Sequence, residues 1–522
     1  MSASKHGLAL TALDQLMLGP ATAAPGTRSG PQSMAGAPAG PMARSSTITD
    51  NFFDWLITPR NPVEGFTNEE ARERLSKAIF ELSDADDPEG PAAAGLTFFG
   101  QFVDHDITLD VVSALGKSVA PGFIRNLRTP ALDLDCVFGD GPEASPHLYS
   151  SAHPEYLLSG RREFTDDKGV THADNPHDLA RNANGTALIG DPRNDENAVV
   201  SQIQWLFIRY FNLVLHAVEK DKSLLARVDG LTDSPFKAAR LMVQWHYQWI
   251  IMNEFLPAFV DPDILKSVEH KLRHHKWPDG FNDHSPIMPV EFSVAGYRFG
   301  HATVQSRYRI HDDLTMDLFA NGEEPGLPAF GPKHPDHTID FSWFFNVPGA
   351  DHAPQKARPI GLSIAKELFE LPFIPRSKIT LADFDIPRED AVSLVHRNIY
   401  RDRFTFQLVT GQMAADTMGF QPLAPDSNLT DNGIDKTPLF YYLLQEGEEI
   451  SGGKLGPVGG TLVATVLMRL LKADPESIWH RPDWAPHFGA IDKAFTMGHM
   501  AKFVSDNSKD IDFWDDLHAP RG

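Results

Sequence analysis

The sequence predicts a mainly α-helical protein: one large helical domain over residues 48–522, preceded by a disordered arm over residues 1–47. Three observations predict it. Long apolar stretches carry helix-start signals, and no sustained series of alternating strands separates them. Residues 18–47 are dominated by Gly, Pro, Ala and Ser, a composition that cannot offset the entropy of ordering the chain. From Phe52 onward the composition is uniform, without a second linker or an internal repeat.

The elements follow in order. Thr67 and Glu70 form a capping box opening TNEEARERLSKAIFEL, where the hydroxyl and carboxylate each satisfy an end amide. LTFFGQFVDHDITLD, residues 96–110, reads as a short helix. SQIQWLFIRYFNLVLHAVEKD, from Ser201, reads as a buried one, with Trp205, Leu206, Ile208 and Leu213 among its apolar positions. Ser234 caps FKAARLMVQWHYQWIIMNEFL, with Pro235 at the favoured first helical position. GGTLVATVLMRLLKA, from Gly459, is a further buried helix.

Composition narrows the chemistry. The net charge is −23, with 70 acidic against 47 basic residues. That balance argues against nucleic acid and anionic membranes, which need clustered Lys and Arg. It leaves small neutral or cationic substrates and divalent cations as partners. A single cysteine, Cys136, excludes an intrachain disulfide framework and any Cys-rich zinc or iron–sulfur site. Metal chemistry must then run on histidine and carboxylate. No unbroken apolar run approaches the ~18–20 residues needed to span a bilayer. Asp14 interrupts the apolar stretch GLALTALDQLML, so a cleaved leader is not expected. The expected localisation is cytoplasmic or non-classically secreted. Nothing in the sequence indicates an oligomeric state.

Four segments carry candidate chemistry. In the first, helical spacing puts Gln101, Asp104 and His105 on one stripe, at i, i+3 and i+4. Asp106 is turned about 100° away from His105. Phe98, Phe99, Phe102, Val103 and Ile107 surround them, so the polar groups cost free energy unless satisfied. A histidine and aspartate bonded to each other in a core fits this segment equally well.

In the second, LIGDPRNDEN, Arg193 and Glu196 sit at i, i+3 ahead of a buried helix; a helix-end carboxylate and an exposed Arg also fit. In the third, FSVAGYRFGHATVQ, His301 follows Gly300 in an aromatic setting. Gly permits close approach of a flat group to the backbone, and His is the commonest metal ligand, but a structural histidine fits too. In the fourth, SLVHRNIYRDR, Asn398 and Arg401 are at i, i+3. An Asn amide can orient an imidazole and an Arg can pair with an acidic cofactor group; a helix-end Asn and a surface Arg are the plainer alternative.

Together, in this order and spacing, the segments resemble the animal haem peroxidases of the peroxidase–cyclooxygenase superfamily, bacterial branch included. GQFVDHD is similar to the family's distal motif, GDPRNDEN to its arginine motif, YRFGH to its proximal motif and NIYRDR to its proximal support. TPALDLDCVFG, from Thr129, resembles its calcium loop. The resemblance runs from about residue 50 to about residue 475 and includes GPVGGTLVATVLMRLLKADP. It implies that family's helical fold, with haem buried between core helices.

The resemblance implies roles position by position. His301 is the implied axial ligand of the haem iron and Asn398 its hydrogen-bond partner. His105 is the implied acid/base, Arg193 the distal cation, and Gln101 the residue beside a small-anion position. Asp104 and Glu196 match carboxylates that form ester links to haem b, and Arg401 matches an arginine that pairs with a propionate. Asp106, Thr129, Ala131 (through its carbonyl), Asp133 and Asp135 match calcium ligands, an oxygen-rich set that suits a hard cation. The implied reaction reduces hydrogen peroxide and oxidises small anions (iodide, bromide, thiocyanate) or phenolic donors.

The chain departs from the family at three points. Asn197 follows Glu196 where some members carry a methionine that makes a sulfonium link to haem. Phe211 replaces a common histidine. The lack of disulfides separates the chain from secreted vertebrate members and fits a bacterial protein. Two alternatives stay open: a fatty-acid dioxygenase of the same superfamily, or a non-enzymatic calcium- and haem-binding adhesion protein. The dioxygenases place a radical-forming tyrosine three residues before the proximal histidine; here that position is Arg298, with Tyr297 one residue earlier. Intact His105, Arg193 and Gln101 weigh against the non-enzymatic reading.

Overall fold

The computed structural model describes residues 52–58, 69–109, 121, 124, 126–166, 168–320, 325–374, 386–509 and 517–518. The expected arm over 1–47 and Thr67 of the expected capping box lie outside them. The fold is mainly α, as the sequence predicts. The elements that shape the centre are α1 (Glu69–Phe80), α2 (Gly95–Ile107), α3 (Ala198–Lys220), α4 (Pro235–Ile250), α5 (Leu394–Tyr400), α6 (Leu439–Glu449), α7 (Pro457–Ala473) and α8 (Met497–Asp506). The named strands form short two-stranded pairs; the longest joins Arg307–His311 to Leu314–Asp317, antiparallel.

Helix α3 is the centre of the core, packed against α2, α4 and α8. By length and composition it could cross a membrane, against the expectation from unbroken apolar runs, but 94% of its apolar window is buried in protein. Its hydrophobicity is therefore that of a core helix. Asn197 caps it: Oδ1 accepts from Val199 N at 3.1 Å and Val200 N at 2.9 Å. Ser234 caps α4, with Pro235 at the first position, as the sequence indicates. Phe211 is buried in α3, edge-on to Phe138 at 4.9 Å.

Helix α2 has no side-chain cap at Ala94. Its orphan amides reach a neighbouring loop instead: Ala94 N donates to Gln355 O and Gly95 N to Phe344 O, both at 2.9 Å. Gly95 is required for that approach, since a Cβ there would lie 2.5 Å from Phe344 O. The rotation of α2 is set by its aromatic face. Phe102 stacks on Phe207 of α3 at 4.9 Å and meets Tyr247 of α4 edge-on at 6.2 Å. Such pairs each add about 0.5–1.5 kcal/mol beyond area burial, so two of them match or exceed the ~1 kcal/mol of a missing cap. With that face buried, the polar stripe of α2 turns toward a cavity.

Candidate active site

The cavity has a volume of about 790 Å³ and is lined from both sides by the four candidate segments. Gln101, Asp104 and His105 of α2 reach it with Arg193, Glu196 and Asn197. His301, Asn398 and Arg401 line it too. The rest of its wall is largely apolar, including Leu318, Phe319, Leu327 and Phe373.

His105 is buried, and its Nδ1 lies 2.7 Å from Asn194 Oδ1. The direction of that bond is fixed by its neighbours. Gln204 Nε2 donates to the Cys136 carbonyl, which only accepts, so Gln204 Oε1 receives from Asn194 Nδ2 at 2.8 Å. Asn194 therefore presents its oxygen, and His105 carries its proton on Nδ1. Its Nε2 is left with a lone pair. Burial, reinforced by the Arg193 charge, lowers the His105 pKa to about 4, so the ring is neutral at ordinary pH.

Arg193 stands in the short 3-10 turn Pro192–Asp195. Its Nε and Nη2 donate to Asp191 at 3.1 and 2.8 Å, and Nη2 also reaches Thr108 O at 2.7 Å. Asp191 is wholly buried, yet two guanidinium groups hold its carboxyl well below the usual range, outweighing the effect of burial. The second is Arg128, which bonds Asp191 with one nitrogen and Asp135 Oδ1 with another at 3.2 Å. Glu196 accepts from Gln101 Nε2, and Gln101 Oε1 accepts from Asn197 Nδ2 at 3.1 Å. The Gln101 amide is thus engaged at both ends rather than free beside His105. Burial raises Glu196 to about 7. For Asp104, burial is outweighed by Arg298 and Arg193, which hold it below the usual carboxylate range; Thr108 Oγ1 donates to its Oδ1 at 2.8 Å.

On the opposite wall His301 lies in a 3-10 helix, Gly296–Thr303, directly after the π-helical segment Glu291–Ala295. Asn398 comes from α5, just before a second π segment, Arg401–Thr405. Such irregular turns recur at functional sites because they redirect side chains that a regular helix would misplace. Asn398 Nδ2 lies 2.7 Å from His301 Nδ1; with this amide turned end for end, Oδ1 accepts from Nδ1–H and Nε2 is the nitrogen left for a ligand. Burial, with the Arg298 charge, lowers His301 to about 3, which keeps the imidazole neutral, as a metal ligand must be. A Cβ placed on Gly300 meets no protein atom within 4 Å, leaving room for a flat group against its backbone. Arg401 also lines the cavity, 5.6 Å from the Phe406 ring centre.

Asp106 points away from the cavity, as its helical phase requires. It converges with Asp133 and Asp135, the ligand oxygens lying within 4.8 Å of one another. Asp106 Oδ2 accepts from Tyr247 Oη at 3.1 Å and Leu134 N at 3.2 Å, while Oδ1 is buried without a hydrogen-bond partner. Burial, then Asp135 and Asp133, push the Asp106 pKa well up. Three carboxylates repelling one another around an orphaned oxygen fit a hard cation. Thr129 and Ala131 lie on the same loop, which Gln248 holds by donating to Leu132 O at 3.0 Å.

The family model for animal haem peroxidase matches residues 117–328, which hold the Thr129–Asp135 loop, Arg193 and His301. Over that segment the chain is similar to the animal haem peroxidases. Similar curated proteins are a peroxidase-like protein of Margaritifera margaritifera and the thyroid peroxidase of Canis lupus familiaris. The first is 23% identical over 49% of this chain and 36% of that protein. The second is 24% identical over 53% of this chain and 35% of that protein. The matches thus span about a third of each relative's length. Among solved structures, peroxidase A of Dictyostelium discoideum aligns with a TM-score of 0.54 at 15% identity, covering 86% of this chain and 93% of that one. A fatty acid alpha-dioxygenase of Arabidopsis thaliana aligns with a TM-score of 0.50 at 15% identity, covering 90% and 77%. His105 and Asn398 fall outside the segment matched to this superfamily; the fold brings them to its cavity.

Several residues that organise the site are not singled out by sequence reasoning. Asn194 and Asp191 sit inside the arginine motif but orient its neighbours. Gln204 is a polar residue on a buried face of α3, and that isolation was its one available signal. Arg128 and Tyr247 reach the site from elsewhere and carry no local signature.

Proposed function

We propose that this chain is a haem-dependent peroxidase that reduces hydrogen peroxide and oxidises iodide, bromide, thiocyanate or phenolic donors. One observation carries the reading: two neutral imidazoles line one cavity, each with Nδ1 engaged by an asparagine. Haem, when bound, supplies the redox-active iron. His301 is the residue to hold it through Nε2, with Asn398 fixing the ring. A neutral amide partner leaves the imidazole less anionic than a carboxylate would, favouring an oxidising iron.

His105 can take a proton on Nε2 and return it, acting as base and then as acid. Arg193, permanently charged and clamped by Asp191, offers a fixed cation to developing negative charge. Asp104 and Glu196 are proposed as points of ester attachment, and Arg401 as the partner of an acidic haem substituent. Calcium is proposed at Asp106, Asp133 and Asp135, with the Thr129 hydroxyl and Ala131 carbonyl completing the set. Residues 48–522 are proposed as one domain, since buried side chains from Phe53 to Leu517 join one core. Iodide is expected to be the best halide and chloride poor, because Asn197 cannot form the sulfonium link.

A second reading, fatty-acid oxygenation, is favoured by the apolar wing of the cavity around Leu318, Phe319, Leu327 and Phe373. It is also favoured by Tyr297, which lines the cavity with a buried hydroxyl that has no hydrogen-bond partner. Steady-state turnover of peroxide against iodide, bromide, thiocyanate, chloride, phenols and linoleate separates the two. Oxygen uptake with linoleate and no added peroxide would replace the first reading by the second.

A further inference from the structure

Asn197 makes hydrogen bonds in two directions. Its Oδ1 accepts from the backbone amides of Val199 and Val200, at 3.1 and 2.9 Å. Those amides can only donate, so the oxygen of Asn197 is committed to the helix and its nitrogen is committed to the other side. There Nδ2 donates to Gln101 Oε1 at 3.1 Å. An amide nitrogen cannot accept, so Gln101 must present its oxygen to Asn197 and its nitrogen to Glu196, where it donates. The orientation of the Gln101 amide, otherwise interchangeable end for end, is thus set from the backbone of α3 outward.

We propose that Asn197 is a positioning residue that makes this cavity receptive to small anions by fixing which end of Gln101 faces it. All three side chains line the cavity. The Gln101 nitrogen carries two hydrogens; one is used by Glu196 and the second is a donor for an anion. With the amide reversed, an anion would meet a carbonyl oxygen and be repelled. The residue thereby joins helix capping to ligand choice. This inference rests on the haem-peroxidase reading of the site.

The test uses the full chain reconstituted with haem, and azide as the anionic probe, followed by the haem absorption band. N197S keeps a good cap but is too short to reach Gln101. It should weaken azide binding about three- to tenfold, the scale of one hydrogen bond. N197D keeps the cap but can only accept, so Gln101 turns its nitrogen to residue 197 and its oxygen to the cavity; azide should bind more weakly still. In a Q101A background N197S should have no further effect. Wild-type azide affinity in N197S, or the same weakening in the Q101A background, overturns the proposal. Failure to incorporate haem at all would sink the underlying reading instead. The coupling then remains measurable in the haem-free protein, where melting-temperature losses for N197S and Q101A should be non-additive; strict additivity overturns the proposal there too.

Discussion

His105 and Asn194 are joined by a bond whose direction is dictated three residues back, by a carbonyl that can only accept: Cys136 O to Gln204, Gln204 to Asn194, Asn194 to His105. Loss of that bond leaves the ring free to exchange tautomers and to rotate. Asn194→Ala should slow the reaction with peroxide about tenfold, the cost of roughly one hydrogen bond, with haem content unchanged. His105→Ala and Arg193→Ala should each slow it about 10²-fold or more. Stopped-flow mixing with peroxide measures all three, and a wild-type rate in His105→Ala removes its acid/base role.

His301 has no substitute in its segment. His301→Ala should lose most of its stoichiometric haem or its ferric high-spin spectrum. Asn398→Ala should keep haem but shift the reduction potential, because the ring loses the group at Nδ1. Full haem loading with a native spectrum in His301→Ala would assign the axial ligand elsewhere.

Chelation of calcium, or Asp133→Ala, should lower the melting temperature and disturb the haem spectrum. The route is short: Asp106 is adjacent in sequence to His105, and Arg128 joins Asp135 to the Asp191 that clamps Arg193. Elemental analysis with thermal unfolding checks this; an unchanged melting temperature with no bound calcium means that the loop holds no metal.

After peroxide treatment, acid–acetone extraction should leave part of the haem on the protein, and Asp104→Ala combined with Glu196→Ala should release all of it. Complete extraction from the treated wild type would reduce these carboxylates to hydrogen-bonding partners.

Glu446 gives a pH-dependent stability. Its carboxyl accepts from Val458 N and Gly459 N at the start of α7, and burial raises its pKa to about 7 from an ordinary 4.5. Between those values the folded protein holds a proton that the unfolded chain has released. This contribution is therefore fully present below pH 4.5 and lost as pH rises through 7. Relative to wild type, Glu446→Gln should gain up to about 3 kcal/mol between pH 4.5 and pH 7.5. Parallel denaturation series at the two pH values test this; a gap that stays constant with pH contradicts it.

The helices were legible because periodicity and caps are local. The stripe of Gln101, Asp104 and His105 and the outward turn of Asp106 follow from 3.6 residues per turn, and the structure keeps both. Buried α3 was legible as a core helix but not as a candidate span, since residues such as Gln202 and Arg209 break its apolar run. What sequence could not supply was the partner of each polar atom. Gln101 pairs with Glu196 and Asn197 across roughly a hundred positions of chain, and Arg128 with Asp191 across 63. Such pairings depend on how helices pack, and no local rule specifies them.

The asparagine that engages His301 lies 97 positions further along the chain. Distal groups, by contrast, all precede residue 205. During synthesis from the N-terminus, one wall of the cavity is therefore complete well before the other, and the His301 imidazole emerges long before the amide that engages it. A ribosome stalled before Asn398 would display a half-built pocket.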